Sequence, residues 1–404
     1  MIVAVIKETF PGEHRVSLIP GSVSTLTKAG YEVIVQAGAG EAAGYADSEY
    51  EQEGARIVAT AQEAYQADVL LQVRALGANP SHAAAECEFL RPGQCLIASC
   101  DPLGSAEALQ SACRSGASVF SLEMIPRITR AQSMDVLSSQ ATIAGYRAVL
   151  LAATHLPKMF PLMMTAAGTL TPARVFVIGA GVAGLQAIAT AKRLGAVVRA
   201  YDVRPAVREQ VESLGGKFVE LELEASASED KGGYAKAMGD EFYRRQRELM
   251  AQVVAESDVV ITTAAIPGKP SPLLITADAV KGMHAGSVIV DLATERGGNC
   301  ELSEADQTVV KHGVMIMGPT NLPTDVPTHA SQMLSKNVCN FIQNMTKDGT
   351  LQVDSDDEIV VGTRVVHQGD VAHPRVREIL SLPPLEPATA TDEAGSNTPP
   401  AQNS

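Results

Sequence analysis

Through most of the chain, short apolar runs alternate with longer stretches whose apolar residues recur at helical spacing. The runs IVAVIKE (2–8), YEVIVQAG (31–38), ADVLLQV (67–73), QCLIAS (94–99) and ASVFSLEM (117–124) show no polar alternation. A strand with one wet face alternates. A strand buried on both faces does not, and such strands belong to parallel sheets covered by helices. A helix is expected from Ser22 to Ala29, stopping at Gly30. From residue 172 the theme repeats in ARVFVIGAG, AVVRAYD, DVVITTA, SVIVDLA and VMIMGP. Strands alternating with helices in this way predict an α/β protein of two doubly wound parallel-sheet domains.

Two long helical patterns organise the halves. Near the joint, Met134, Leu137, Ile143, Tyr146, Val149 and Leu150 approximate helical spacing, in a helix expected to begin at Ser133 and to end before Pro157 and Pro161. From Thr328 to Met345, Met333, Leu334, Val338, Phe341, Ile342 and Met345 share a face. This helix follows the last strand of the second half, so it is expected to cross back and complete the first. The expected division is 1–135 with 328–380 as a discontinuous N-terminal domain, 136–327 as a nucleotide-binding domain, and 381–404 as a flexible tail. Within it, 358–374 is expected to form a small hairpin. The last 22 residues contain five prolines and only Leu385 as a large aliphatic residue, too little to bury a core.

Composition narrows the function. With 404 residues, 46% hydrophobic and 19% charged, the chain is that of a globular protein. A net charge of −14 repels phosphates, and no basic stripe interleaves with aromatics, so no nucleic-acid binding is expected. No apolar run approaches a spanning helix. The opening MIVAVIKE reads as a strand without a cationic leader, so no secretory signal is expected. The six cysteines form no CxxC pair and are expected to be buried thiols. The eight histidines form no HExxH or HxxxH, and no metal site is expected.

The strongest chemical signal is VFVIGAGVAGLQAIATAKRLGAVVRAYD. Gly179, Gly181 and Gly184 make G-x-G-x-x-G directly after a strand and at the start of a helix. The first glycine permits the turn, the second lets backbone approach a pyrophosphate, and the third lets helix pack on strand. Asp202 ends the next strand, 18 residues beyond Gly184, where a carboxylate accepts from ribose hydroxyls and repels a 2′-phosphate. NAD(H) is therefore expected over NADP(H), although Arg204 and Arg208 stand where arginines can serve a 2′-phosphate. In EDKGGYAKAMGDEFYRRQ (229–246), Gly232 and Gly233 precede an isolated Tyr234 in a long polar insertion. That pattern suits either a lid hinged at the glycines or a solvated excursion. Lys7 and Arg15 in KETFPGEHR suit an anion site or a solvated loop equally.

A polar cluster, MIPRITRAQSMDVLSSQ (124–140), sits among these apolar runs. With AGYRAV (144–149), MTAAGTLTPARV (164–175), EQVESLGGKF (209–218), GGYAKAMGDEF, PGKPSPLLIT (267–276) and DLATERGGNC (291–300), it resembles the NAD(H)-binding alpha subunits of proton-translocating NAD(P) transhydrogenases, a family similar to alanine dehydrogenase. The resemblance runs from Met1 to about residue 375. It implies two Rossmann-like domains separated by a cleft, NAD(H) on the second, and direct hydride transfer to or from NADP(H) held by a partner subunit. It assigns Arg127 to the cofactor, and Gln132 and Asp135 to the carboxamide and the partner nucleotide's ribose. Those three carry catalysis by positioning. Ile128, Ser138, Val182, Ala183, Val203, Arg204, Gly233, Tyr234 and Ala264 join the glycines and Asp202 as cofactor contacts. Hydride transfer moves no proton, so it needs placement and no general acid. Alanine deamination needs both a carboxylate anchor and an acid–base group. Here Arg74 stands roughly where that branch has a lysine, Glu295 where it has an aspartate, and LIASCDPLGS (96–105) lacks the expected histidine. The resemblance further implies a homodimer on the cytoplasmic face of a bacterial membrane, bound peripherally through a proton-channel subunit and an NADP(H)-binding beta subunit. A free-standing amino-acid dehydrogenase and a non-catalytic NAD-binding subunit are the alternatives.

Overall fold

A computed structural model of the chain describes residues 1–220, 240–266 and 268–385. Gly233 and Tyr234, with the rest of the expected lid before Asp240, lie outside the described residues, as does the tail from 386.

The first sheet begins with β1 (Ile2–Val5), β2 (Glu32–Gln36), β3 (Arg56–Val58), β4 (Val69–Arg74), β5 (Cys95–Ser99) and β6 (Ser118–Ser121), all parallel. β1 is central, with Val3 opposite Val33 on one side and Val69 on the other. A hairpin, β7 (Met163–Thr165) and β8 (Gly168–Leu170), precedes the second sheet. That sheet comprises β9 (Arg174–Ile178), β10 (Val197–Tyr201), β11 (Lys217–Phe218), β12 (Val259–Thr262), β13 (Val288–Asp291), β14 (Thr308–Lys311) and β15 (Val314–Met317). Its order is β11-β10-β9-β12-β13-β15-β14. The chain works outward from β9 on one side, then returns to start the other side at β12. This reversal opens a crevice at the C-terminal ends of β9 and β12, where doubly wound sheets bind ligands. β14 is an antiparallel edge that the apolar pattern does not reveal. Each large sheet is covered on both faces by an apolar cluster, which explains the missing alternation.

The two halves are tied by helices. The linking helix spans Val136–His155. It starts three residues after the expected Ser133, because Thr129–Met134 forms a 3-10 turn and Asp135 caps the helix. Its buried face differs from expectation: Leu137 and Tyr146 are exposed, while Gly145, Ala148 and Ala152 are buried. A Cβ on Gly145 would stand 2.1 Å from the Ala183 carbonyl oxygen. Helices this close meet through small residues, so counting large apolar residues selects the wrong face.

The return helix Pro327–Met345 buries Leu334, Val338, Phe341, Ile342 and Met345 in the first sheet's core, with the Phe341 ring 5.9 Å from that of Phe120. Met333 is instead exposed. A short hairpin follows, β16 (Thr346–Lys347) with β17 (Thr350–Leu351). Residues Glu358–Thr363 then form a helix where the sequence pattern suggests hairpin. β18 (Arg364–His367) and β19 (Asp370–Val371) complete the chain's sheet structure, and β18 pairs antiparallel with β6, extending the first sheet.

Candidate functional site

The C-terminal ends of the two sheets face each other across a cleft of about 590 Å³. One wall is the glycine turn after β9. Gly179 has φ of +91°, a conformation that glycine alone adopts without strain. A Cβ on Gly184 would lie 1.8 Å from the Gly179 carbonyl oxygen, so only glycine lets the helix seat there. Gly181 has nothing within 4 Å of a built Cβ, and it lines the cleft. The helix Val182–Arg193 starts beside it, offering unpaired N–H groups and a positive dipole end. This cradle fits an anionic pyrophosphate.

Asp202 follows β10 and is buried. Its Oδ2 accepts from the Ala180 N–H at 2.8 Å and its Oδ1 from the Arg204 N–H at 2.9 Å. The Arg204 guanidinium adds Nε to Oδ1 and an amino group to Oδ2, each at 2.9 Å. From its spacing alone this carboxylate reads as a lone negative charge facing a ribose. The structure makes it half of a bidentate pair.

The other wall carries the polar cluster. Arg127 and Ser138 line the cleft. Asp135 caps the linking helix, accepting from the Ser138 N–H at 2.9 Å and the Ser138 hydroxyl at 2.6 Å. Gln132 is exposed, Ile128 packs on the first core, and neither they nor Asp135 line the cleft. The loop is clamped from behind. Arg130 pairs with Asp357 at 2.7 Å, and the Asn337 and Asn340 amides donate to the Ser133 carbonyl at 2.9 and 3.0 Å. Of the remaining cofactor candidates, Gly179, Gly181, Val182, Ala183, Asp202, Val203, Arg204 and Ala264 line the cleft, whereas Gly184 lies beneath Gly179.

Several residues in and around the cleft leave no signal in sequence, because their partners are distant in the chain. Glu13 is fully enclosed and receives Arg15 through Nε and an amino group, both at 2.7 Å. Burial alone would raise the Glu13 pKa, but the hydrogen bonds and charge of Arg15 hold it below the ordinary carboxylate range. Arg15 continues to Gln140 at 3.0 Å and Asn321 at 3.2 Å. Arg74 approaches Glu13 at 3.4 Å with its guanidinium 4.4 Å above the Phe10 ring. Arg15 is therefore neither solvated nor an uncommitted anion hook, the two options its sequence context allows. Glu8 accepts from the Val73 and Arg74 N–H groups at 2.6 and 3.1 Å, and desolvation lifts its pKa to about 8.

Glu123 grips the turn after β5, accepting from the Cys100 N–H at 3.1 Å and the Asp101 N–H at 2.9 Å. Desolvation raises its pKa despite those bonds. Asp101, held at φ of +48°, pairs across the cleft with Arg296, which lies where a side chain on Gly104 would project. Behind the second wall, Asp291 is wholly buried and accepts from Thr262, Ala293, Asn299, Cys300 and Ser303. Asn299 in turn holds Ala264 by both its N–H and its carbonyl. In sequence the stretch DLATERGGNC stands out only as a motif; its buried hydrogen-bonding role is invisible there.

A glycine cradle at a topological switch point, a carboxylate beyond the second strand and a facing polar loop define a two-domain dinucleotide-binding protein of the dehydrogenase class. Residues 4–144 match the alanine dehydrogenase/PNT N-terminal domain and residues 148–374 its C-terminal domain, so the chain belongs to the alanine dehydrogenase/PNT family. It is 48% identical to the first of the separate chains of NAD(P) transhydrogenase subunit alpha in Rhodospirillum rubrum, over 93% of this chain and 98% of that one. An alanine dehydrogenase of Halomonas elongata is 30% identical, over 96% and 99%. The crystal structure of a transhydrogenase from Sinorhizobium meliloti superposes with a TM-score of 0.80 at 45% identity, covering 93% of this chain and 99% of that one.

Proposed function

We propose that this chain is the NAD(H)-binding alpha component of a proton-translocating NAD(P) transhydrogenase, in the version whose components are separate polypeptides. The observation that carries the reading is the cleft itself. It joins a complete dinucleotide cradle to an arginine-bearing polar loop, and among the described residues lining it there is no histidine and no lysine. When bound, the nicotinamide gives or takes a hydride with no accompanying proton, which such a lining suits. Gly179, Gly181, Val182, Ala183 and Gly184 hold the pyrophosphate side, while Asp202, Val203 and Arg204 hold the adenosine side. Ala264, with Gly233 and Tyr234, adds cover. Arg127 holds the cofactor's pyrophosphate and nicotinamide ribose. Gln132, exposed beyond the cleft, reaches a nucleotide on another subunit, and Asp135 and Ser138 keep its loop in place together with Ile128.

Residues 1–135 with 328–380 form the first domain of this reading, 136–327 the NAD(H) domain and 381–404 the tail. Among the described residues no helix is long and apolar enough to cross a membrane. The chain is placed on the cytoplasmic face as a homodimer, held there by a proton-channel subunit and an NADP(H)-binding beta subunit. Proton translocation belongs to those subunits.

The test is binding followed by transfer. Calorimetry on the isolated chain should show NADH bound more tightly than NADPH. Adding the NADP(H)-binding subunit should then start hydride transfer to an NAD analogue with a distinct absorbance. Gln132→Asn should slow that transfer roughly a hundredfold while NADH affinity changes less than about tenfold, since a misplacement of about 1 Å costs that much. Arg15 and Arg74 in the cleft favour a second reading as an amino-acid dehydrogenase. Alanine-dependent NADH formation by the chain alone, with no transfer to the partner, would establish that one instead.

A further inference from the structure

Gln246 lies in the second turn of the helix Asp240–Ala255 and lines the cleft although it is only 1% exposed. Its Nε2 donates to the Tyr201 hydroxyl at 2.9 Å. Its Oε1 is shielded from solvent and has no hydrogen-bond partner among the described residues. A buried amide oxygen left unpaired costs about 1–3 kcal/mol, so a site that keeps one is waiting for a donor.

The surroundings say which donor. Ile178, Val203, Ala265 and Leu274 line the cleft with Gln246 and offer an apolar slot suited to a flat ring. Tyr201, which fixes the amide, immediately precedes Asp202 at the end of β10. A dinucleotide with its pyrophosphate at Gly181 and a ribose at Asp202 must carry its base onward past Val203. The polar atom facing that base is then Oε1.

We propose that Gln246 Oε1 accepts a hydrogen bond from the exocyclic amine of adenine and so selects an adenine nucleotide over one bearing a 6-oxo purine. This rests on the NAD(H) reading above. Hypoxanthine carries a carbonyl at the same ring position. It would set two acceptors against each other and leave both unpaired, the situation in which a buried hydrogen-bonding site discriminates strongly.

The experiment is calorimetric titration of the full chain with NADH and with reduced nicotinamide hypoxanthine dinucleotide. The unmutated chain should bind the hypoxanthine form at least about tenfold more weakly. Gln246→Leu keeps much of the volume and removes the acceptor. It should weaken NADH by roughly tenfold, change the hypoxanthine form less than about twofold, and bring their ratio near one. Gln246→Glu offers only acceptors and should preserve the preference for adenine, which a merely structural role for the amide would not do. Equal binding of the two nucleotides by the unmutated chain overturns the inference and leaves the NAD(H) reading standing. So does an unchanged ratio in Gln246→Leu, the result if the amide met a ribose hydroxyl. A chain that binds neither nucleotide overturns the NAD(H) reading and this inference together.

Discussion

Asp202 and Arg204 are a single device whose two halves pull the cofactor preference in opposite directions. The carboxylate repels a 2′-phosphate; the guanidinium that clasps it at 2.9 Å cancels much of that charge. Asp202→Asn should narrow the gap between NADH and NADPH affinity by on the order of tenfold, and Arg204→Ala should widen it by exposing the bare charge. Titration of both nucleotides against both variants checks the pair; shifts of the same sign would show that the two residues do not oppose each other. His373 offers a separate pH prediction. Burial, with Arg375 nearby, pushes its pKa down to about 4, and its Nδ1 has no partner among the described residues. The folded chain therefore holds His373 neutral while the unfolded chain protonates near 6.5. Between those values the unfolded state binds more protons, so stability is present above about 6.5 and is lost as pH falls toward 4. His373→Leu should match the parent at pH 7 and gain on the order of 1–2 kcal/mol over it by pH 4.5, read from urea midpoints at both pH values.

Two glycines separate packing from ligand contact in the helices that carry the site. Gly145 lets the linking helix touch the start of the nucleotide helix, and the obstacle to a Cβ is the rigid Ala183 backbone. Gly145→Ala should cost about 1–3 kcal/mol in urea unfolding, because overpacking against backbone has no flexible side chain to move. Gly181 has φ of −75° and ψ of −165°, extended backbone that alanine adopts freely, with open space before it. Gly181→Ala should leave stability within about 0.5 kcal/mol and still weaken NADH roughly tenfold or more, since its methyl enters the cleft. If instead Gly181→Ala binds NADH as well as the parent does, the pyrophosphate does not lie there.

The whole molecule displays an apolar arm. In and beside the β7–β8 hairpin, Leu162 is 55% exposed, Met164 76% and Leu170 50%. Isolated exposed apolar residues are ordinary; a cluster on a projecting two-stranded hairpin marks a contact surface. The proposed homodimer should bury this arm. Met164→Asp combined with Leu170→Asp should shift the sedimentation coefficient from dimer to monomer and leave NADH affinity within about twofold. A double variant that sediments unchanged would place the dimer contact elsewhere.

The strands, the glycine turn and Asp202 are legible in the chain because each depends on neighbours in sequence. Burial on both faces writes itself as an unbroken apolar run, and a turn with φ of +91° at Gly179 demands glycine wherever the rest of the molecule lies. The start of the linking helix falls three residues from where spacing puts it, because Asp135 bonds to Ser138 as a cap and a loop acid looks the same whether it caps or binds. What the tertiary structure alone decided is which distant residues meet. Arg15 meets Asn321, Asp101 meets Arg296, and Glu123 holds the turn after a neighbouring strand. The unpaired oxygen of Gln246 belongs to the same class, since a glutamine on an amphipathic helix acquires a buried, unanswered acceptor only when Tyr201 and Leu274 close around it. Burial and pairing are properties of the assembled surfaces, and one-dimensional spacing carries no record of either.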